Sequence, residues 1–238
     1  MVDEPVEQPR WGLGDVLGGF VIGLVGSQIV LSIILSATGR TTDQVDELPL
    51  SLVSIAQMGL WAGLLGVPLL VTRLKGNGVV ADLDLRGRWE DVWKGGLVGT
   101  ILQIAVLPLL YWPLLSLLDK KSSDLDDPAR KLTDQAHGPV GVVLLILIVG
   151  IGAPIIEEIF YRGLCQRALL KRGAPPALAI GLTAVVFGLS HGELLQLPAL
   201  ILFGLAAGIL AHRSGRLGPS IAAHVAFNMV TVVALLWG

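Results

Sequence analysis

The chain alternates long apolar windows with short charged connections. Seven such windows run over about 14–37, 51–72, 94–118, 140–161, 176–191, 196–212 and 218–237. A helix needs roughly 18 to 25 predominantly apolar residues to cross a hydrocarbon core about 30 Å thick. The period-two alternation that a membrane barrel requires is absent from the sequence. The pattern therefore predicts an all-α, polytopic membrane protein with about seven transmembrane helices in one bundle. The two most polar stretches, 73–94 and 119–138, are predicted to be solvated loops. Residues 1–138 then supply spans and polar loops, and 139–238 a more continuously apolar membrane core, within a single structural domain.

Composition and charge sharpen this reading. The 238 residues are 53% hydrophobic and only 15% charged, and the mean hydropathy is +0.73, so lipid is the expected solvent for most of the surface. The one cysteine, Cys165, excludes an intrachain disulfide and a cysteine-rich metal site. A net charge of −2 without basic-aromatic interleaving gives nucleic acid no footing. The opening MVDEPVEQPRW is acidic and polar, and the apolar window after it is too long for a signal h-region, so 14–37 is expected to be a retained span. Lys and Arg divide twelve to five between alternate connections, which predicts a cytoplasmic N-terminus. The Ala-, Gly- and Leu-rich composition suggests a bacterial cell membrane. Gly19 with Gly23 and Gly204 with Gly208 have the small-xxx-small spacing of close helix contacts. Packing within the monomer is their expected use, and the oligomeric state stays open.

Against this background the hexapeptide EEIFYR, Glu157 to Arg162, is costly. A charge at the centre of a membrane helix costs about 2.5–3.5 kcal/mol on insertion scales, so ionisable residues there usually face a polar interior. The bland alternative is that the helix ends here and both acids lie at the interface, followed by the basic amphipathic stretch 161–173. Two further polar constellations weigh against it, Phe187 to His191 (FGLSH) and His224 to Asn228 (HVAFN). Residues four apart share a helix face. Glu157 lies 17 residues before Ala174 and His191 lies 17 after it, so in a hairpin turning at 173–176 both sit about 25 Å from the turn. His224 and Asn228 follow Gly215 by 9 and 13 residues, roughly 14–20 Å deep.

Different roles follow for the two acids. Glu158 precedes Arg162 by four residues, the favourable order for a structural ion pair. Glu157 is rotated about 100° from it and is free to act as a general base on water. His191 can hold that water, while His224 and Asn228 can donate hydrogen bonds to a developing oxyanion. If a metal is bound, Glu157, His191 and His224 are acceptable zinc ligands with water as the fourth. The run Gly188 to Gly192 also reads G-x-S-x-G, which makes Ser190 a candidate nucleophile of a serine protease; that elbow needs a strand entering a helix. His212 and His137 are read as an interfacial and a loop residue. A non-catalytic membrane protein, such as a transporter, a scaffold or a self-immunity factor, is the third class, since transporters also keep Glu and His in their spans.

The ordered trio EEIFYR, FGLSH and HVAFN resembles the family of CAAX proteases and bacteriocin-processing proteins, also called the Abi family, over about residues 140–230. The resemblance implies a glutamate-dependent intramembrane endopeptidase of the type II CAAX prenyl protease kind, with Glu157, His191, His224 and Asn228 in its functional positions. The implied partners are membrane lipid and a peptide or protein substrate, either a prenylated CAAX protein or a processed peptide. Members are often labelled metalloproteases. The motif set carries no HExxH, and metal-free water activation is the reading preferred here.

Overall fold

The computed structural model describes residues 9–237. Most of the acidic, polar opening stretch, Met1 to Gln8, lies outside the described residues. Eight principal helices follow: α1 (Leu13–Thr38), α2 (Leu50–Lys75), α3 (Trp89–Leu118), α4 (Ser122–Asp134), α5 (Gly138–Lys171), α6 (Pro176–Leu189), α7 (Leu197–Ser214) and α8 (Gly218–Trp237). Six of them, α1, α2, α3, α5, α7 and α8, are long and apolar enough to cross a membrane. The fifth apolar window forms the shorter α6. No strand occurs among the described residues. The chain is an integral, all-helical membrane protein, and large side chains such as Leu17, Leu24 and Ile33 of α1 point outward, where lipid takes the place of water.

Three expectations are corrected. The 119–138 connection is no loop, because it contains α4. Leu125, Ala129 and Leu132 stand at i, i+4 and i+7, an apolar stripe that packs a helix onto the bundle despite its charged outer face. The 73–94 connection holds a single helical turn, Val79–Leu83, and α3 already starts at Trp89. The fourth span does not end near 161; α5 runs on to Lys171, so Arg162 lies inside the bundle and not on a water-facing loop.

Helix contacts are made at backbone range. A Cβ on Gly63 of α2 would strike the backbone of Gly19 and Gly23 of α1, and one on Gly26 would come within 2.7 Å of the Gly59 carbonyl. The α3–α8 pair repeats the device, with Gly95 against Pro219 and Gly99 against Ala223. In α7, Gly204 faces Ala184 of α6, and Gly208 faces Ile180 and Gln166. Lipid gives apolar helices no hydrophobic reason to associate, so van der Waals contact at small residues replaces that drive. The glycine pairs singled out in the sequence are used within the monomer. The α5–α6 and α7–α8 hairpins turn at Gly173 and Gly215, whose φ values of 82° and 71° are left-handed and suit glycine.

Candidate active site

The site is built around an irregular stretch of α5. Pro154 has no N–H for the carbonyl of Gly150 and its ring crowds that turn. Residues Ile146–Gly152 accordingly widen into a π-helical segment, and Ile159–Gln166 do so again. Glu157 and Glu158 occupy the regular turns between them. Widened turns of this kind re-aim side chains and are frequent at functional sites.

Glu158 is fully buried and doubly held. Arg162 Nη1 donates to its Oε1 at 2.7 Å, and His224 Nδ1 lies 2.9 Å from the same oxygen. Arg162 is itself buried, donates to the Gly204 carbonyl at 3.2 Å, and lies 4.7 Å from the centre of the Phe187 ring. A buried charge needs a partner and hydrogen bonds to be tolerated; here one carboxylate receives both a cation and an imidazole. Since a carboxylate only accepts, His224 presents Nδ1–H to Glu158 and turns Nε2 the other way.

Glu157 faces that second nitrogen. Its Oε2 lies 3.8 Å from His224 Nε2 and 4.0 Å from His191 Nε2. His191 follows the C-terminal end of α6, and its Nδ1 is 2.8 Å from the Phe187 carbonyl. A carbonyl cannot donate, so the neutral His191 ring carries its proton on Nδ1 and turns the Nε2 lone pair towards Glu157. Two acceptors separated by 4.0 Å leave room for one water that donates a hydrogen to each. The rings are braced edge-on, with Phe187 centred 4.7 Å from His191 and 5.7 Å from His224.

A cavity of about 880 Å³ ends at this cluster. Its wall includes Gln57, Gln103, Tyr111, Leu125, Phe227 and Asn228, besides Glu157, His191 and His224. From α5 it takes Leu145 to Glu157 and nothing beyond, so the cavity extends from the Glu157 level towards one end of the bundle only. Past that level lie Phe160, Arg162 and Leu164, all buried. Helix α6, at 14 residues, spans about 21 Å at 1.5 Å per residue, less than the roughly 30 Å hydrocarbon core. His191 therefore sits at membrane depth against the cavity, where irregular backbone is tolerated, and the residues after it carry the chain to Gln196, which bonds to Leu125 of α4.

The remaining candidates separate clearly. Asn228 lines the cavity, and its Nδ2 donates at 2.9 Å to the Val149 carbonyl in the first π-helical segment, which leaves a second amide hydrogen. Ser190 donates to the Phe187 carbonyl at 2.8 Å, so at 2.6 Å Tyr161 donates its hydroxyl hydrogen to Ser190. The residues before Ser190 form α6, with no strand among the described residues, so the serine elbow lacks the turn it depends on. His137 caps the start of α5 and His212 sits in the last turn of α7, neither in the cavity wall. Sequence reasoning missed Tyr161, Gln57, Gln103, Tyr111 and all of α4. The spacing of Leu125, Ala129 and Leu132 was the one signal that pointed to a helix over the cavity.

The three possible metal ligands do not form a ligand set as placed. Donors on a tetrahedral zinc at bonds of about 2.0–2.1 Å stand roughly 3.3 Å apart. The two separations from Glu157 Oε2 are 3.8 and 4.0 Å, and no group of three or more His, Cys, Asp or Glu side chains among the described residues is arranged to hold a metal ion.

Fold and site thus define a polytopic helical membrane protein with a paired carboxylate and two histidines at the blind end of a deep cavity. Residues 139–230 match the family described as Type II CAAX prenyl endopeptidase Rce1-like. That segment contains all three motifs, EEIFYR, FGLSH and HVAFN, on which the resemblance to CAAX proteases rests. The family is one of proteases. No curated protein and no solved structure matches the chain.

Proposed function

We propose that the protein is an intramembrane endopeptidase that hydrolyses peptide bonds with a water activated by Glu157 and His191. The arrangement of Glu157 Oε2 opposite His191 Nε2, at 4.0 Å at the end of the cavity, carries this reading. A water donating to both acceptors turns a lone pair towards the cavity. It attacks the scissile carbonyl carbon as Glu157 takes its proton. The C=O π electrons move to oxygen, and the oxyanion receives hydrogen bonds from His224 and the free amide hydrogen of Asn228. Collapse of the tetrahedral intermediate breaks the C–N bond, and Glu157 returns the proton to the leaving amine. Glu158 and Arg162 position His224 from behind and touch no reacting atom.

The test is cleavage, read by mass spectrometry, of a mixed peptide library that includes a prenylated CAAX peptide, by purified wild type and Glu157→Gln. Products from wild type alone support the proposal. Equal cleavage by both proteins removes Glu157 from the mechanism, and ion-coupled flux without cleavage favours a transporter.

A further inference from the structure

The two ends of the bundle differ in charge, and the cavity reaches only one of them. At one end the connections are laced together. The Arg10 N–H donates to the Lys75 carbonyl at 2.6 Å, and Lys171 reaches the Pro9 and Trp11 carbonyls, both at 2.6 Å. Arg167 donates to the carbonyls of Asp82 and Gly215 at 2.7 and 3.2 Å. With Arg162 inside the bundle, this end carries eleven Lys or Arg residues. At the other end, Lys131 of α4 pairs with Asp46 at 2.6 Å, Gln135 donates to the Asp46 carbonyl at 2.8 Å, and Gln196 donates to the Leu125 carbonyl at 2.7 Å. The connections there, 39–49, 119–137 and 190–196, hold five Lys or Arg against nine Asp or Glu.

Every cavity-lining stretch lies between the Glu157 level and this acidic end: Leu50 to Gln57 of α2, Gln103 to Leu115 of α3, α4, and His224 to Leu235 of α8. Asp126 is part of the wall, 3.6 Å from Arg130. Exposed Lys131 stands among Asp46, Glu193 and Asp127, which together hold its ammonium above the ordinary value, Asp46 foremost. Lys and Arg accumulate on the cytoplasmic side of membrane proteins. Acidic rims favour cationic partners through complementarity and steering.

We propose that the eleven-cation end is cytoplasmic, and that the cavity admits its substrate from the opposite, extracytoplasmic side as a peptide segment with net positive charge. The substrate class rests on the endopeptidase reading; the orientation does not. Cytosolic prenylated proteins would then be the wrong substrates, because their chain ends on the other side of the membrane.

Orientation is read without any activity. Cys165 is buried, so single exposed cysteines, Ser123→Cys on α4 and Ala81→Cys at the basic end, can be labelled by a membrane-impermeant maleimide. In intact cells Ser123→Cys is expected to label at least about tenfold faster, with permeabilisation removing the difference. Labelling of Ala81→Cys alone in intact cells overturns the proposal. In a second arm, purified protein is offered matched peptides with Lys or Asp flanks. Preference of about tenfold in kcat/KM for the Lys peptide, shrinking with salt and in Asp126→Asn/Glu193→Gln, is expected from electrostatic complementarity. Equal rates for the two peptides overturn the charge preference. Correct labelling with neither peptide cleaved counts against the endopeptidase reading and leaves the orientation standing.

Discussion

His224 makes its hydrogen bond with Glu158, the second of the adjacent acids: Nδ1 lies 2.9 Å from Glu158, while Nε2 stops 3.8 Å short of Glu157. One imidazole from α8 thereby divides two neighbouring carboxylates into unlike groups. Glu158 is held on one oxygen, Oε1, by both His224 and Arg162, and is buried away from the cavity wall. Glu157 makes no direct hydrogen bond to either histidine and opens onto the cavity.

That division predicts separable phenotypes. Glu157→Gln keeps the shape of the side chain and removes the proton acceptor, so kcat is expected to fall about 10²- to 10⁴-fold. Thermal unfolding in detergent should move by no more than about 2–4 °C, the shift of roughly 1 kcal/mol in a domain of this size. Full activity in the variant would sink the general-base assignment.

Arg162→Ala should do the reverse and act through the fold. Removing one partner of a buried pair typically costs about 3–5 kcal/mol, because the other charge is left uncompensated. A marked loss of detergent-resistant folded protein is expected, partly recovered in the double variant Arg162→Met/Glu158→Gln. A melting temperature equal to wild type in Arg162→Ala would show that the pair does not hold α5.

Two glycines of α2 offer a matched comparison. A Cβ on Gly63 meets the α1 backbone, whereas one on Gly66 meets nothing within 4 Å. Gly63→Ala is therefore expected to destabilise by about 1–3 kcal/mol, the usual cost of overpacking. Gly66→Ala should be neutral or slightly stabilising, and denaturant titration of both reads the difference.

The donor separations around Glu157 predict that peptide cleavage survives exhaustive chelation and that elemental analysis finds less than one zinc per chain. Reversible loss of activity with chelator, restored by zinc, would require the three side chains to close up by roughly half an ångström each around an ion.

Much of this was legible in the sequence, for identifiable reasons. Membrane spans announce themselves by length and apolarity, and four-residue spacing alone put Glu158 with Arg162 and Phe187 beside His191. Equal counting from Ala174 brought Glu157 and His191 to one depth, and their 4.0 Å separation shows that the count survives the widened turns of Ile159–Gln166. The allegiance of His224 was not legible: which of two adjacent acids it meets depends on the rotation of α8 against the widened turns of α5, and no spacing within one helix encodes that. Helix α4 was hidden by its charge, which on a helix half in contact with protein occupies only the outer face. Asn228 fell between these cases, placed in the cavity by its spacing from His224, with its bond to Val149 dependent on a carbonyl released by the π-helical segment.

The family match begins at residue 139, yet fully buried Phe160, two residues after Glu158, packs its ring edge-on against Phe20 at 4.8 Å and lies where a Cβ on Gly19 would come within 2.6 Å. Helices α1 and α2 leave the ribosome before α5 exists, and chains assemble from the N-terminal end as they are made. The glycine-lined hairpin is thus a mould completed ahead of the part it shapes, and a transplanted 139–230 segment would arrive without the surface against which its glutamate turn is set.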